Sequence, residues 1–222
     1  MSWILNIDTA VQKASICLAN DNVVVAFAEN DSQKDHASWL HLAILHLVKQ
    51  QGLSVKNIDA IAISAGPGSY TGLRVGMATA KGLCYTMDKP LIFISTLQMM
   101  ASAAINEDVD LLCPMIDARR MEVFTAVYDK ALNEHIAPHN CILSDNCFDD
   151  LLNQRIAFLG NGSVKFKSLV SNPNAVFTDI EASAKEMTLL SYKKFTGKAF
   201  EDVAYSEPFY GKEFYSTAHL TN

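Results

Sequence analysis

The stretch AISAGPGSYTGLRVGMATAKG at residues 62–82 joins a strand, a glycine-rich turn and a helix, in that order. An apolar strand is predicted over 58–64, and the turn is GPGS at 66–69. The helix is predicted from Thr71 to about Tyr85. Glycine adopts backbone conformations closed to other residues and proline fixes φ, so the turn is tight.

The start of this helix is a candidate phosphate site. Ser69 can cap the first N–H groups, and a helix N-terminus attracts anions. Gly66 and Gly68 are therefore candidate phosphate-facing residues together with Ser69. The motif is neither GxxxxGK[ST] nor GxGxxG, so the alternative is a turn whose glycines serve geometry alone. No cofactor is predicted, and the one candidate ligand is a nucleotide at a partner interface.

The helix itself carries a row of small residues. They recur every four positions and therefore lie along one side of the helix. Two glycines inside a helix cost about 1 kcal/mol each relative to alanine, so close packing should compensate. We expect that packing inside the domain or across a subunit boundary. The predicted contact residues on this helix are Gly72, Leu73, Gly76, Met77 and Ala80.

The composition limits the classes of protein to which this chain can belong. The chain has 222 residues, half of them hydrophobic, which suffices for one large or two small domains. A net charge of −6 argues against a protein that binds nucleic acid over a broad surface alone. No run of about 18 apolar residues predicts a membrane span. The five cysteines are odd in number and lack CxxC spacing, so we expect reduced thiols and a cytoplasmic protein.

The N-terminal region, residues 3–28, predicts three antiparallel strands. Asp8 and Thr9 follow the first of them. A carboxylate at this point is where phosphotransfer folds of this topology meet metal and phosphate, so both residues are candidate phosphate-facing groups. The alternative for Asp8 is an aspartate that only caps a turn.

A helix over 36–50, with Ser32 or Asp35 as its cap, is apolar nearly all the way round. A surface helix shows one apolar stripe, so we expect this one to be buried on one face and to contact a partner on another. Its histidines are five apart, whereas metal pairs on a helix are three or four apart, so no metal site is predicted. The predicted partner-interface residues are His36, Trp39, Leu40, Ala43, Ile44 and Leu47.

The second half of the chain repeats the first. An apolar strand over 111–116 ends in Asp117, and a turn at 118–121 leads into a strand over 122–128. The span 129–145 reads as polar, a short helix is predicted near 147–154 and a terminal helix over 182–196. This weak repeat predicts an α/β protein with two actin-, Hsp70- or sugar-kinase-like (ribonuclease H-like) lobes, 1–106 and 107–222, flanking a cleft.

Several blocks together resemble the bacterial TsaB (YeaZ) family. They are ILNIDTA at 4–10, AISAGPGSYTGLRVGMATAKGL at 62–83, STLQMMA at 95–101, PMIDARRMEVFTAVYD at 114–129 and FLGNGS at 158–163. The likeness is close over most of 3–130 and looser beyond. Asp8-Thr9-Ala10 stands where the family more often has DTS, and Gly211 interrupts the family pattern after Pro208-Phe209-Tyr210.

The resemblance implies a role in making threonylcarbamoyladenosine, the modified adenosine beside the anticodon of tRNAs that read ANN codons. It implies a non-catalytic subunit that pairs with TsaD, is joined by the ATPase TsaE, forms homodimers alone and meets tRNA only through the complex. It further implies that the two helices described above are the ones through which the family pairs. The HxxxH metal pair of the catalytic relatives has no counterpart in the family's position here.

Two other readings stay open from the residues. One is a self-sufficient ATP-using phosphotransferase or ATPase of the sugar-kinase type, with Asp8 and the 66–69 turn at the phosphates. Its weakness is that 222 residues leave little room for a substrate domain. The other is an RNA-binding module, which the acidic balance disfavours.

Overall fold

The computed structural model describes residues 1–31 and 36–211, with the side chain of His36 left out. The predicted caps Ser32 and Asp35, and the tail beyond Gly211, lie outside the described residues.

The first lobe is built on a five-stranded sheet of order β3-β2-β1-β4-β5. Strand β1 pairs antiparallel with β2 and parallel with β4, and β2 and β3 form an antiparallel pair. Strands β1, β2 and β4 are buried almost throughout, which explains their unbroken apolar sequences. The strands are β1 Trp3–Asp8, β2 Ala14–Asn20, β3 Val23–Asn30, β4 Ala60–Ser64 and β5 Leu91–Ile94.

The second sheet repeats this arrangement with the order β8-β7-β6-β9-β10. Strand β6 takes the place of β1, pairing antiparallel with β7 and parallel with β9. The predicted duplication and two-lobed α/β fold are therefore confirmed. The strands are β6 Leu111–Asp117, β7 Glu122–Asp129, β8 Glu134–Ile142, β9 Ile156–Leu159 and β10 Ala175–Thr178.

Five α-helices cover the sheets within the described part of the chain. Helix α5, with the 3-10 turn before it, packs on strands of the first sheet although it follows the second in sequence. No helix in the described ranges is both long and apolar enough to span a bilayer. The helices are α1 His36–Gln50, α2 Tyr70–Met87, α3 Thr96–Ala103, α4 Ser163–Lys167 and α5 Thr188–Thr196, with 3-10 turns at Val55–Asn57 and Ala184–Met187.

One apolar cluster extends through both lobes. It joins Ile4 and Ile92 of the first sheet to Leu112 and Tyr128 of the second, with Met187 packed between them. The two lobes therefore share a continuous core at the base of the cleft.

Three predicted elements differ from the structure. The polar span contains an edge strand, β8, whose Pro138 is tolerated because an edge strand leaves backbone groups unpaired. The prediction of a helix near 147–154 is wrong, because this segment forms successive turns. The terminal helix begins at Thr188 rather than 182, after the 3-10 turn over 184–187.

Helix α1 has a buried face and an exposed face. The predicted interface residues Leu40, Ile44 and Leu47 are at most 3% exposed and pack in the first lobe's core. Trp39 and Ala43 are half-buried. The apolar residues that remain on the surface are Leu42, 70% exposed, and Leu45, 55% exposed.

The small-residue row of α2 packs inside the chain. A Cβ on Gly72 would lie 1.9 Å from the carbonyl oxygen of Thr9, and one on Gly76 would lie 2.2 Å from Thr9 Oγ1. The Thr9 hydroxyl also donates a 2.7 Å hydrogen bond to the Gly72 carbonyl. Of the two packing alternatives expected for this row, inside the domain or across a subunit boundary, the structure shows the first. The neighbouring interface candidates Leu73, Met77 and Ala80 are buried as well.

Candidate functional site

A cavity of about 890 Å³ lies in the cleft between the lobes. The first lobe supplies the β1–β2 turn, 10–13, and the start of α2, 68–71. The second lobe supplies the β6–β7 turn, 116–119, and the segment 178–182. Tyr210 from the C-terminal segment closes one side. The predicted cleft is therefore present, and both turns that follow a first strand reach it.

Asp8 and Asp117 occupy matching positions, as the repeat predicts. Each is the last residue of the first strand in its sheet. Each accepts a hydrogen bond from the backbone N–H two residues later, from Ala10 at 2.9 Å and from Arg119 at 2.6 Å. The same local turn follows both strands, yet the surroundings of the two carboxylates differ.

The Asp8 carboxylate is sealed inside the first lobe. It is fully buried, and Ser64 Oγ donates a 2.5 Å hydrogen bond to Oδ1. Its other oxygen, Oδ2, has no hydrogen-bond partner among the described residues. Desolvation raises the pKa of Asp8 from 3.8 to about 6, against the lowering effect of the bonds from Ser64 and Ala10. Asp8 does not line the cavity.

Asp117 faces the cleft, where Lys165 engages it. Lys165 Nζ lies 2.6 Å from Asp117 Oδ1 and donates to the Arg120 carbonyl at 2.5 Å. The hydrogen bond from Lys165 lowers the pKa of Asp117, helped by the backbone and charge of Arg119. Asn161 holds the same turn by accepting the Asp117 N–H at 2.9 Å. Lys165 is a site residue that sequence reasoning missed, since its segment has no recognisable motif.

The glycine turn of the first lobe is filled by the chain itself. Gly66 has a φ of 106°, and a Cβ there would lie 2.1 Å from the carbonyl oxygen of Phe209. The Phe209 N–H donates to the Ala65 carbonyl at 2.8 Å, so the C-terminal segment lies directly on the turn. A Cβ on Gly68 would in turn meet the carbonyl oxygen of Ala10 at 2.5 Å.

Of the five predicted phosphate-facing residues, two reach the cavity wall. Ser69 caps α2 as predicted, with its hydroxyl accepting from the Gly72 N–H at 3.3 Å, and it lines the cavity together with Gly68. Asp8, Thr9 and Gly66 lie behind the wall. The prediction that these five residues face one ligand stays untested by any bound molecule.

Ion pairing across the cleft joins the two lobes. Lys13 Nζ from the first lobe lies 2.7 Å from Glu181 Oε2 of the second. Asp117, Asp179 and Glu181 line the same wall as Lys13 and Arg119, so carboxylates outnumber cations among the described lining residues. A polyphosphate bound here would meet a wall with negative net charge, which opposes its binding.

Comparisons with known proteins place these features in a family. The family model described as tRNA N6-adenosine threonylcarbamoyltransferase (TsaD) matches residues 28–211. The protein named tRNA threonylcarbamoyladenosine biosynthesis protein TsaB from Bacillus subtilis is 29% identical, over 89% of this chain and 88% of its own. Its namesake from Escherichia coli is 29% identical, over 93% of each chain.

The chain belongs to this family, in its TsaB (YeaZ) branch. The solved structure of YeaZ from Pseudomonas aeruginosa superposes with a TM-score of 0.80 at 22% identity, covering 95% of this chain and all of that one. That likeness shows that the TsaB fold is present. The wider family also contains proteins named as transferases, such as one from Ehrlichia canis that is 32% identical over 44% of this chain. Membership in the TsaB branch therefore does not by itself establish whether the chain is catalytic, and that question depends on the geometry of the site.

Proposed function

We propose that this chain is a non-catalytic subunit in the synthesis of threonylcarbamoyladenosine in tRNA. In this proposal it holds a TsaD-like transferase in its active arrangement, and a TsaE-like ATPase acts on the pair. The relatives named for this biosynthesis support the pathway. A nucleotide at the partner interface and a homodimer of the free chain remain predictions within the same proposal.

The observation that carries the non-catalytic assignment is the burial of Asp8. A phosphotransferase needs its first-lobe carboxylate within reach of the metal and phosphates. Here α2 packs on Thr9 and encloses Asp8, while Phe209 covers the turn at Gly66. The remaining cleft carboxylate, Asp117, is engaged by Lys165. These contacts favour a scaffold over the self-sufficient phosphotransferase or ATPase.

Reconstitution tests the proposal. Threonylcarbamoylation of tRNA is measured with purified TsaD-like and TsaE-like subunits and the threonylcarbamoyl-AMP-forming enzyme, with and without this chain. We expect a drop of tenfold or more without it, and full activity when Asp8→Asn replaces wild type. Asparagine keeps the acceptor for Ser64 and Ala10 but cannot act as a carboxylate.

Asp117→Asn serves as the matched variant in the second lobe. Loss of turnover with Asp8→Asn, in a complex that still assembles, would show that the first-lobe carboxylate takes part in chemistry. Activity that does not depend on this chain would contradict the proposal that it acts as a scaffold.

The exposed face of α1 offers a partner two apolar residues that were not among the predicted interface residues of this helix. Leu42 and Leu45 leave large apolar surfaces in solvent, and burying such side chains stabilises a complex. Leu42→Asp/Leu45→Asp should weaken binding of the TsaD-like subunit by at least about 100-fold, which corresponds to about 2.7 kcal/mol. Isothermal titration calorimetry measures the change.

Ile142→Asp is the matched control, because Ile142 is 71% exposed on an edge strand of the other lobe. It should leave the affinity unchanged. An equal loss with the control, or an undiminished affinity with the α1 variant, would move the interface away from this face.

A further inference from the structure

The turn between β6 and β7 has an unusual backbone. Arg119 and Arg120 are consecutive residues with φ of 66° and 50°. Two consecutive left-handed residues in a hairpin turn are normally Asn-Gly, because a Cβ there is crowded. The left-handed conformation costs a residue with a side chain roughly 1–2 kcal/mol. The chain therefore keeps two arginines where asparagine and glycine would stabilise it.

Contacts on both sides hold this turn in place. The Ala118 N–H donates to the Glu122 carbonyl, and the Glu122 N–H donates to the Arg119 carbonyl, both at 3.1 Å. From the neighbouring α4, Lys165 Nζ binds the Arg120 carbonyl at 2.5 Å. The turn is thus rigid, and the positions of both arginine backbones are fixed.

Neither guanidinium forms an ion pair with a carboxylate among the described residues, although the charge of Arg119 helps to lower the pKa of Asp117. Both arginines are exposed, and the ion pairs found within 1–31 and 36–211 include neither of them. The adjacent Asp117 carboxylate binds Lys165, and Glu122 accepts from Asn140 at 2.9 Å. Arg119 also lines the cleft. Two fixed, unpaired arginines therefore stand at the rim of the cleft, and we term them the arginine rim.

We propose that the arginine rim binds backbone phosphates of the tRNA held by the complex. This inference rests on the proposed function, which supplies the RNA. Arginine presents a planar fork that matches phosphate oxygens, and backbone strain retained against stability is typical of functional sites. A chain with a net charge of −6 otherwise repels a polyanion, so a contact with RNA needs a local cationic surface.

An acidic protein surface is the alternative occupant of the rim, and the binding tests below distinguish it from RNA. The chain's own carboxylates, Asp117 and Glu122, lie beside the rim and would repel an acidic protein patch as they would RNA. Two bidentate arginine–phosphate contacts offset this repulsion, and their strength falls steeply with salt. That salt dependence makes the assignment measurable.

The test variant is Arg119→Asn/Arg120→Gly, which removes both charges and suits the left-handed turn. The probe is a fluorescein-labelled, unmodified tRNA with an ANN-reading anticodon, titrated against the assembled complex of this chain with the TsaD-like subunit. We expect the Kd to rise at least tenfold. The slope of log K against log salt should fall in magnitude by about 1.4–1.8, as two lost phosphate contacts predict.

The same variant should raise the Tm of the free chain. A turn that mattered only for structure would give a higher Tm with unchanged tRNA binding, and that result would overturn the proposal. Arg119→Lys/Arg120→Lys keeps both charges and the strain, so it should retain most of the salt dependence.

Lys193→Gln/Lys198→Gly is the matched control. Both lysines are exposed near the end of α5, and Lys198 has a φ of 54°, so this pair removes the same charge and relieves one left-handed residue. It should leave the tRNA affinity within a factor of two. An equal loss of affinity in the control would mean that tRNA binding depends on the net charge of the chain and not on the arginine rim.

Assembly without RNA separates the partners. If Arg119→Asn/Arg120→Gly weakened binding to the TsaD-like subunit itself, the rim would contact protein and the RNA assignment would fail. The scaffold proposal is judged by omitting the chain from the reconstituted reaction, so it can stand or fall independently of the tRNA titration.

Discussion

Gly72→Ala should destabilise the folded protein by about 3 kcal/mol or more, a large share of the 5–15 kcal/mol typical of a domain. The added Cβ would sit 1.9 Å from the Thr9 carbonyl oxygen, far inside contact distance. That oxygen belongs to the backbone at the end of β1, so no side-chain rotation relieves the overlap. Moving α2 outward would break the hydrogen bond from Thr9 Oγ1 to the Gly72 carbonyl.

Gly82→Ala is the control in the same helix. A Cβ on Gly82 meets no atom within 4 Å, and the residue is exposed. Alanine is favoured over glycine in a helix, so this change should stabilise the protein by up to about 1 kcal/mol. Urea denaturation followed by circular dichroism gives both free energies of unfolding. A loss below about 1 kcal/mol for Gly72→Ala would show that α2 can shift away from Thr9.

Asp8→Asn should stabilise the protein at neutral pH, by up to about 3 kcal/mol. The pKa of Asp8 is about 6 in the folded protein, where burial disfavours its charge, and near 3.8 without that burial. Between these values the folded protein holds a proton that the unfolded chain has lost. The contribution of Asp8 to stability therefore falls as pH rises from about 4 to 6 and stays low above. Asparagine mimics the protonated, uncharged state at every pH.

The measurement is the free energy of unfolding of wild type and Asp8→Asn at pH 4 and pH 7.5. The two proteins should be nearly equal at pH 4 and differ most at pH 7.5, because other titrating groups cancel in the comparison. Asp117→Asn should show the opposite sign, since the Lys165 contact lowers the pKa of Asp117 and stabilises its charge. A constant difference between wild type and Asp8→Asn across this range would contradict a raised pKa at Asp8.

The strands of the first lobe were predictable because each is a short apolar run bounded by turn residues. Helix α1 has the predicted bounds, 36–50. Strand β8 was missed because an edge strand with one solvated face has no apolar run to reveal it. The segment 147–154 has apolar residues at helical spacing, but tertiary packing rather than pattern decides whether so short a segment forms a helix.

The site was predictable only in part. The matched positions of Asp8 and Asp117 follow from the repeat, and the turns that carry them reach one cleft. The two carboxylates differ in burial and in ion pairing because of contacts between residues distant in sequence. These contacts are α2 against Thr9, and Lys165 against Asp117. Likewise, the apolar pattern of α1 could not show that Leu40 is buried while Leu42 is exposed, because that depends on how the helix is rotated on the sheet.

The placement of α5 on the first sheet affects how the protein can be made in the cell. A ribosome completes β5 at Ile94 about a hundred residues before it reaches the end of α5 at Thr196. At about 5–20 residues per second, the nascent chain waits on the order of ten seconds with one apolar face of that sheet uncovered. The first lobe therefore cannot be completed before the second lobe has been synthesised. The first lobe to be synthesised is the last to receive its full set of elements.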